Sequence, residues 1–237
     1  MSYGRIGVIG AMDSELAALI AALAQPAQET VQGLIFHTGR LGAREVVLVR
    51  CGIGKVSAAR CTQVLIDRFA PGAVINTGIA GGLAGGLAVG DIVVADGLVQ
   101  HDFDAAPIGF VRGCVCMGNP GAPTVFAPDA ALSALLAQTA GNAIGAQRVH
   151  RGLIATGDQF ISGAEHKSAL YSEFRAMAAE MEGGAIAQVA AMDGVPFAVI
   201  RSISDLADGT AADSFDTFEK HAADASAAAL RQALRAL

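Results

Sequence analysis

Two carboxylates, Glu180 and Glu182, stand in the stretch AAEMEGGAIAQVAA (178–191), which is otherwise almost entirely small and apolar. An ionised carboxylate is costly to bury unless donors meet it, so the pair needs partners from the protein or from a ligand. In a strand the two side chains share one side with Met181 opposite, whereas residues two apart on a helix point to different faces. The pattern fits a strand ending near Met181 and a helix starting near Glu182. At a helix N-terminus Glu182 gains from the local positive potential and is expected to stay ionised, and a carboxylate accepting two hydroxyl protons suits the vicinal diol of a ribose. A helix cap or an internal ion pair accounts for Glu182 as well.

The run FAVIRSISD (197–205) carries a second set. Arg201 and Asp205 share a strand face but lie roughly 13 Å apart at the usual rise, too far to neutralise each other directly. An Asp just past an apolar strand, preceded by Ser204, resembles an acid held partly desolvated, with raised affinity for a proton; a turn or helix cap is the alternative. Glu15 follows the first apolar run within one helical turn, flanked by Met12 and Leu16, where it also suits a helix dipole. Three acidic groups after three strands are more specific than any one of them.

The elements that must position these groups alternate along the chain. RIGVIGA (5–11), EVVLVRCG (45–52), AVINTGIAGG (73–82), DIVVADGLV (91–99), GLIATGD (152–158) and FAVIRSISD read as strands, several too continuously apolar to have a wet face. DSELAALIAALA, GKVSAARCTQVLIDRF, GAIAQVAAMDG and DTFEKHAADASAAALRQALRAL carry helical periodicity, with Asp13 and Asp216 at starts and Gly194 near an end. That pattern predicts an α/β sandwich, in which ligands sit beyond the carboxyl ends of strands. Met12 and Glu15, Gly52-Ile53-Gly54, Gly78 to Gly82, Asp158 to Ile161, Glu180 to Glu182 and Ser204-Asp205 fall there, with Arg201 the clearest basic residue. The glycines of 78–86 are open to two readings, tight turns or a ligand lining.

Composition narrows the partners. The 237 residues are about half apolar with no Pro/Ser-rich or charged linker, which predicts one domain over 1–237. A net charge of −6 without any Lys/Arg cluster argues against nucleic acid and for a small ligand. No export signal is evident at the start, and the most apolar tract (73–95) is broken by Asn76, Asp91 and glycines, so the expectation is a cytoplasmic protein away from membranes. Four scattered cysteines, with no His beside the Cys114-Val-Cys116 pair, predict neither a disulfide scaffold nor a metal site. GIGKV lacks the earlier Gly and the Ser/Thr of a P-loop, and no GxGxxG opens a helix after a strand, so nucleotide cofactors lose support.

Taken in order, the segments IGVIGAMDSE, CGIGKVSAA, INTGIAGG, VGDIVVAD, HDFD, GLIATGDQFI, AEMEGGAIA and RSISDLAD resemble the 5'-methylthioadenosine/S-adenosylhomocysteine nucleosidases of the nucleoside phosphorylase/nucleosidase superfamily. The resemblance covers essentially the whole chain. It implies a three-layer α/β/α sandwich with a central mixed, mostly buried sheet, and hydrolysis of an N-glycosidic bond without cofactor or metal. By motif, Glu15 matches the carboxylate that activates water and Asp205 the acid that protonates N7 of the leaving adenine, with Ser204 supporting it. Glu182 matches the ribose-hydroxyl ligand, leaving Glu180 a structural group. Met181 matches the residue against the sugar, Phe160 the aromatic on the base, and Ile161 the residue whose backbone meets the adenine edge. Met12, Ile53 and Phe215 match the lining of the 5'-alkylthio pocket, Arg201 an Arg that organises the attacking water, and Ala80 and Gly81 of INTGIAGG are expected to meet the substrate.

Two departures stand out. Ile79 occupies a position where many relatives carry Ser or Thr, which removes a hydroxyl contact. The tract 105–123 differs from the family's usual sequence; in relatives this region closes the 5' side from the other subunit of a dimer, and Ile108 is the candidate for that contact. Three alternatives remain open at this stage. A phosphorylase of the same fold would need an anion site, usually of several Arg or backbone donors. A futalosine-type hydrolase would use nearly the same residues, and a nucleoside-binding protein without turnover could discard Glu15 and Asp205.

Overall fold

The continuously apolar runs become strands covered on both faces. The computed structural model describes residues 3–115, 118–207 and 211–237, and for 211–222 the backbone alone. In chain order the elements are β1 (Ile6–Gly10), α1 (Asp13–Ile20), β2 (Ala24–Val31), β3 (Leu34–Leu41), β4 (Arg44–Arg50), α2 (Lys55–Phe69), β5 (Ala73–Gly82) and β6 (Ile92–Gln100). They continue with α3 (Ala130–Ile144), β7 (Val149–Thr156), α4 (Ala164–Phe174), β8 (Ala178–Glu180), α5 (Gly183–Met192), β9 (Phe197–Asp205) and α6 (Ala211–Ala236).

The strands form one mixed sheet in the order β2-β3-β4-β1-β5-β8-β7-β6-β9, and β9 returns to pair with β5. Strands β5, β9, β6, β7 and β8 therefore close a ring, from which β1, β4, β3 and β2 extend as an open sheet. Successive side chains of a strand feed opposite layers. Val8 and Leu48 pack with Leu16, Leu19, Leu132 and Leu230 of α1, α3 and α6. Ile9, Val47 and Val49 pack instead with Leu65 of α2 and Ile186 of α5. The result is the α/β sandwich of the element pattern, in the three-layer form with a mixed, mostly buried sheet that the resemblance implies.

In β9 the alternation breaks. Gly78 of β5 pairs with Arg201 and Ala80 with Ile203, but Gly81 pairs with Asp205, leaving Ser204 as the extra residue of a bulge. Bulges re-aim side chains. Arg201 and Asp205 consequently do not share a face, contrary to the expectation from an extended strand.

Four further differences separate fold from expectation. The β2–β3 hairpin is absent from the sequence reading, because β2 is an exposed edge strand with little alternation and carries a register shift after Ala24. Its signal was the Gln32-Gly33 pair, whose φ values of 50° and 80° are those of a two-residue hairpin turn. Helix α1 stops at Ile20, short of the apolar pattern, and starts from Met12 as the capping position rather than Asp13. Asp216 lies inside α6 rather than at its start, and α3 and α4 add two helices to those the periodicity predicts. Gly194, at φ 67°, does follow α5. Among the described residues, no helix is long and apolar enough to cross a membrane.

Candidate active site

A cavity of about 340 Å³ opens where the ring of strands meets the open sheet. Its acidic lining is Glu15, Glu180, Glu182 and Asp205, joined by Ser204 and Gln159. Among the described residues no Lys, Arg or His lines it. The predicted residues Met12, Ile53, Ala80, Gly81, Phe160, Ile161 and Met181 all take part in the wall. Ile53 and Phe160, 57% and 51% exposed, stand at its open side.

Glu15 sits in the first turn of α1 and is 4% exposed. Its Oε2 accepts from the backbone N–H groups of Ala11 (2.6 Å) and Met12 (3.0 Å), and its Oε1 from that of Ile79 (3.1 Å). Room for the carboxylate exists only because residue 78 is glycine, since a Cβ there would lie 2.4 Å from Oε1. Burial raises the affinity of Glu15 for a proton, outweighing Arg201 and the three N–H donors that work the other way. The substitution of Ile at 79 leaves the backbone donor in place and puts an apolar side chain on the wall.

Glu180 and Glu182 divide the roles that the sequence left open. Oε2 of Glu180 accepts from the N–H groups of Glu182 (3.1 Å) and Gly183 (2.7 Å), so Glu180 caps α5. Its carboxylate also bonds the Thr156 hydroxyl and the Arg201 guanidinium. Glu182 makes no cap bond; its Oε1 accepts from the Gly54 N–H at 2.9 Å, at the start of α2. Gly54 reaches it with φ 95°, a backbone that side chains rarely adopt. Burial, and then the neighbouring Glu180, push Glu182 up to about 7, against Arg201 and the Gly54 N–H. The helix terminus does not keep it fully ionised at neutral pH, because its N–H groups are spent on Glu180 and desolvation outweighs the dipole.

Asp205, 2% exposed, ends β9 just beyond the bulge. Its Oδ2 accepts from Ser204 Oγ and its Oδ1 from the Ala207 N–H, both at 2.9 Å. A Cβ at residue 81 would come within 3.1 Å of Oδ1, so Gly81 is a close-approach glycine. Gly86, with φ 88° and nothing near, is a turn. Both readings of the 78–86 glycines therefore apply, at different positions.

Arg201 is not part of the lining. It is 1% exposed behind the wall, held by Glu180, by Asn76 Oδ1 and by the Ile200 carbonyl. Ile108, 66% exposed in a short 3-10 turn, is likewise away from the cavity. The side chain of Phe215 lies outside the described residues. Sequence reasoning gave no role to Ala11, Gln159 or Ala179, which also line the cavity; their places just past β1, after β7 and within β8 were the available signal. No cluster that could hold a metal ion occurs among the described residues.

The Phosphorylase superfamily profile matches residues 5–235. A 5'-methylthioadenosine/S-adenosylhomocysteine nucleosidase of Shewanella pealeana is 42% identical over 215 residues, 90% of this chain and 91% of that one. The structure of the nucleosidase of that name from Streptococcus pneumoniae, with the transition-state inhibitor MT-ImmA, is similar at TM-score 0.91 and 41% identity, covering 98% of this chain and 99% of that one. A futalosine hydrolase mutant of Helicobacter pylori is similar at TM-score 0.90 and 34% identity, covering 99% of this chain and 100% of that one.

Proposed function

The chain belongs to the phosphorylase superfamily and, within it, to the 5'-methylthioadenosine/S-adenosylhomocysteine nucleosidases, and from that premise we propose that it hydrolyses the N-glycosidic bond of those two nucleosides. Adenine and the 5'-thioribose sugar are the products. The observation that carries hydrolysis is the lining: four carboxylates and, among the described residues, no cationic side chain. Cleaving the bond builds positive charge on the ribose, which acidic walls stabilise, whereas a phosphate anion would be repelled.

In the reaction we assign, Asp205 protonates N7 as the base departs, with the Ser204 hydroxyl fixing its carboxyl. Glu15 takes a proton from water. Three backbone donors occupy three of roughly four lone-pair positions on a carboxylate, which leaves one on Oε1 for that water. Burial makes Glu15 more basic than an ordinary carboxylate, the direction a general base requires. Glu182 accepts the ribose hydroxyls, and Met181 packs against the sugar. Phe160 stacks on the base beside the Ile161 backbone, and Met12 and Ile53 line the 5' side with Phe215. Arg201 acts from behind the wall, on Glu15 and Glu182 rather than by touching water.

The whole chain, 1–237, works as one domain in the cytoplasm and as a homodimer, with Ile108 of the partner subunit near the 5' pocket. The exposed apolar side chains Ile53, Val56, Phe160 and Ile108 support a partner-covered mouth. Light scattering on Ile108→Glu, with KM for each thio-nucleoside, tests it; a dimer with unchanged KM removes Ile108 from the 5' side.

The deciding experiment is base release from methylthioadenosine, S-adenosylhomocysteine, adenosine, inosine and futalosine, each with and without phosphate. Adenine plus free sugar from the thio-nucleosides without phosphate is the expected result. A sugar 1-phosphate formed only with phosphate would make the enzyme a phosphorylase and remove the role of Glu15. Preference for futalosine would shift the substrate, and binding without release would make the chain a nucleoside-binding protein.

A further inference from the structure

The two lips of the cavity are tied together by a side chain that does not line it. One lip is the β4–α2 loop, with Ile53 and Gly54; the other follows β7, with Asp158, Gln159 and Phe160. Asp102, just beyond β6, reaches both: its Oδ1 meets Lys55 Nζ at 2.6 Å and its Oδ2 accepts from the Asp158 N–H at 2.8 Å. Asp158 Oδ1 in turn accepts from the Lys55 N–H at 2.7 Å, closing a loop of bonds. The ion pair is largely shielded, with side chains 20% and 14% exposed for Lys55 and Asp102. Burial works to raise the proton affinity of Asp102, but Lys55 and the Asp158 N–H outweigh it and hold the group ionised. Gly157 packs directly on the neighbouring imidazole, where a Cβ would lie 2.3 Å from His101 Nε2.

We propose that Asp102 is a positioning residue for the reaction: it clasps the lips so that Ile53 and Phe160 face each other across the bound nucleoside and the Gly54 N–H stays on Glu182 Oε1. The inference rests on the nucleosidase reading above. The clasp acts at one remove from the substrate. Because Ile53 and Phe160 contact ground state and transition state alike, its loss raises KM more than it lowers kcat.

The test uses the full chain with Asp102→Ala, which removes both bonds, and Lys55→Met, which removes only the ion pair. For Asp102→Ala, KM for methylthioadenosine is expected to rise about tenfold with kcat within about threefold, and Lys55→Met to fall between it and wild type. The acidic limb of kcat/KM should also move to higher pH, since Glu182 loses a donor that favours its charged form while Glu180, Arg201, Glu15 and Cys51, which face it, are unchanged. A merely structural aspartate would lower thermal stability without moving that limb. Amide exchange at positions 54, 55 and 158 should accelerate in both variants, a readout that needs no turnover. Unchanged KM and unchanged exchange in folded Asp102→Ala, or in Lys55→Met if the first does not fold, would overturn the clasp. A wild-type chain that releases no base would instead remove the nucleosidase reading, with the exchange rates still judging the clasp.

Discussion

Around Arg201 one buried guanidinium faces three carboxylates, those of Glu180, Glu182 and Glu15; at the start of β6 one buried carboxylate, Asp91, is met by Arg148 at 3.0 Å, by His150 at 3.1 Å and by the Ala88 N–H at 3.0 Å. Both clusters join carboxylate to guanidinium, and the balance is inverted. In the first cluster burial prevails and raises the proton affinity of Glu15 and Glu182. In the second, burial is outweighed by the Ala88 N–H, Arg148 and His150, and the proton affinity of Asp91 falls. A surplus of carboxylates primes a site to take a proton or to meet a cationic sugar; a surplus of donors fixes a strand start. The two outcomes follow both the local ratio of charges and the depth of the cluster, since Arg201 is 1% exposed whereas Arg148 beside Asp91 is 42% exposed.

The largest effect is expected at Asp205, a further carboxylate of the same cavity and the acid on the leaving base in this scheme. Asp205→Asn should lower turnover by roughly 10² to 10⁴, because an amide cannot deliver a proton to N7. Near-normal kcat in a purified variant would take Asp205 out of the mechanism. Glu180→Gln deprives Arg201 of its direct ion-pair partner, and denaturant unfolding should show a loss of about 3–5 kcal/mol. The same variant removes a like charge beside Glu182, so the acidic limb of kcat/KM should move below 7; a limb that stays in place would mean Glu180 does not govern Glu182.

Glu182→Gln should reduce kcat/KM by about 10- to 100-fold through loss of charge-assisted bonds to the sugar. An unchanged efficiency would leave Glu182 a structural group. Asp91→Asn should cost only about 1–2 kcal/mol and leave the pH profile of catalysis alone.

Titration of stability sharpens the contrast, because the two signs are opposite. Asp91 binds its proton less tightly when folded, so its contribution is present above the ordinary carboxylate range and is lost as pH falls through its lowered value. Glu182 binds its proton more tightly when folded, so its contribution is present at acid pH and declines as pH rises from the ordinary range to about 7. Melting temperature against pH for wild type, Asp91→Asn and Glu182→Gln should resolve the two slopes; parallel curves would deny the inversion.

Much of this arrangement is legible in the sequence. Strands β5 and β9 run over the residues the apolar patterns mark, 73–82 and 197–205, because strands buried on both faces announce themselves by composition alone. The β2–β3 hairpin was not legible, since an exposed edge strand needs no such pattern. Of the cavity lining, Glu15, Glu182 and Asp205 were marked by their places just after strands, and the apolar residues by motif order. The assignment of α5's cap to Glu180 and not Glu182 was not, because two carboxylates two residues apart look alike in a sequence.

By itself, the sequence determined which groups stand just beyond each strand, the lack of a phosphate motif and the family resemblance; these depend on residue type and order. Only the tertiary structure decided which of those groups meet. The ring of strands brings chain segments from Ala11 to Asp205 around one cavity. The bulge at Ser204 turns Asp205 into that cavity while Arg201 stays behind the wall. Proton affinities were decided there as well, because desolvation and charge balance depend on distances across the fold that no spacing along the chain encodes.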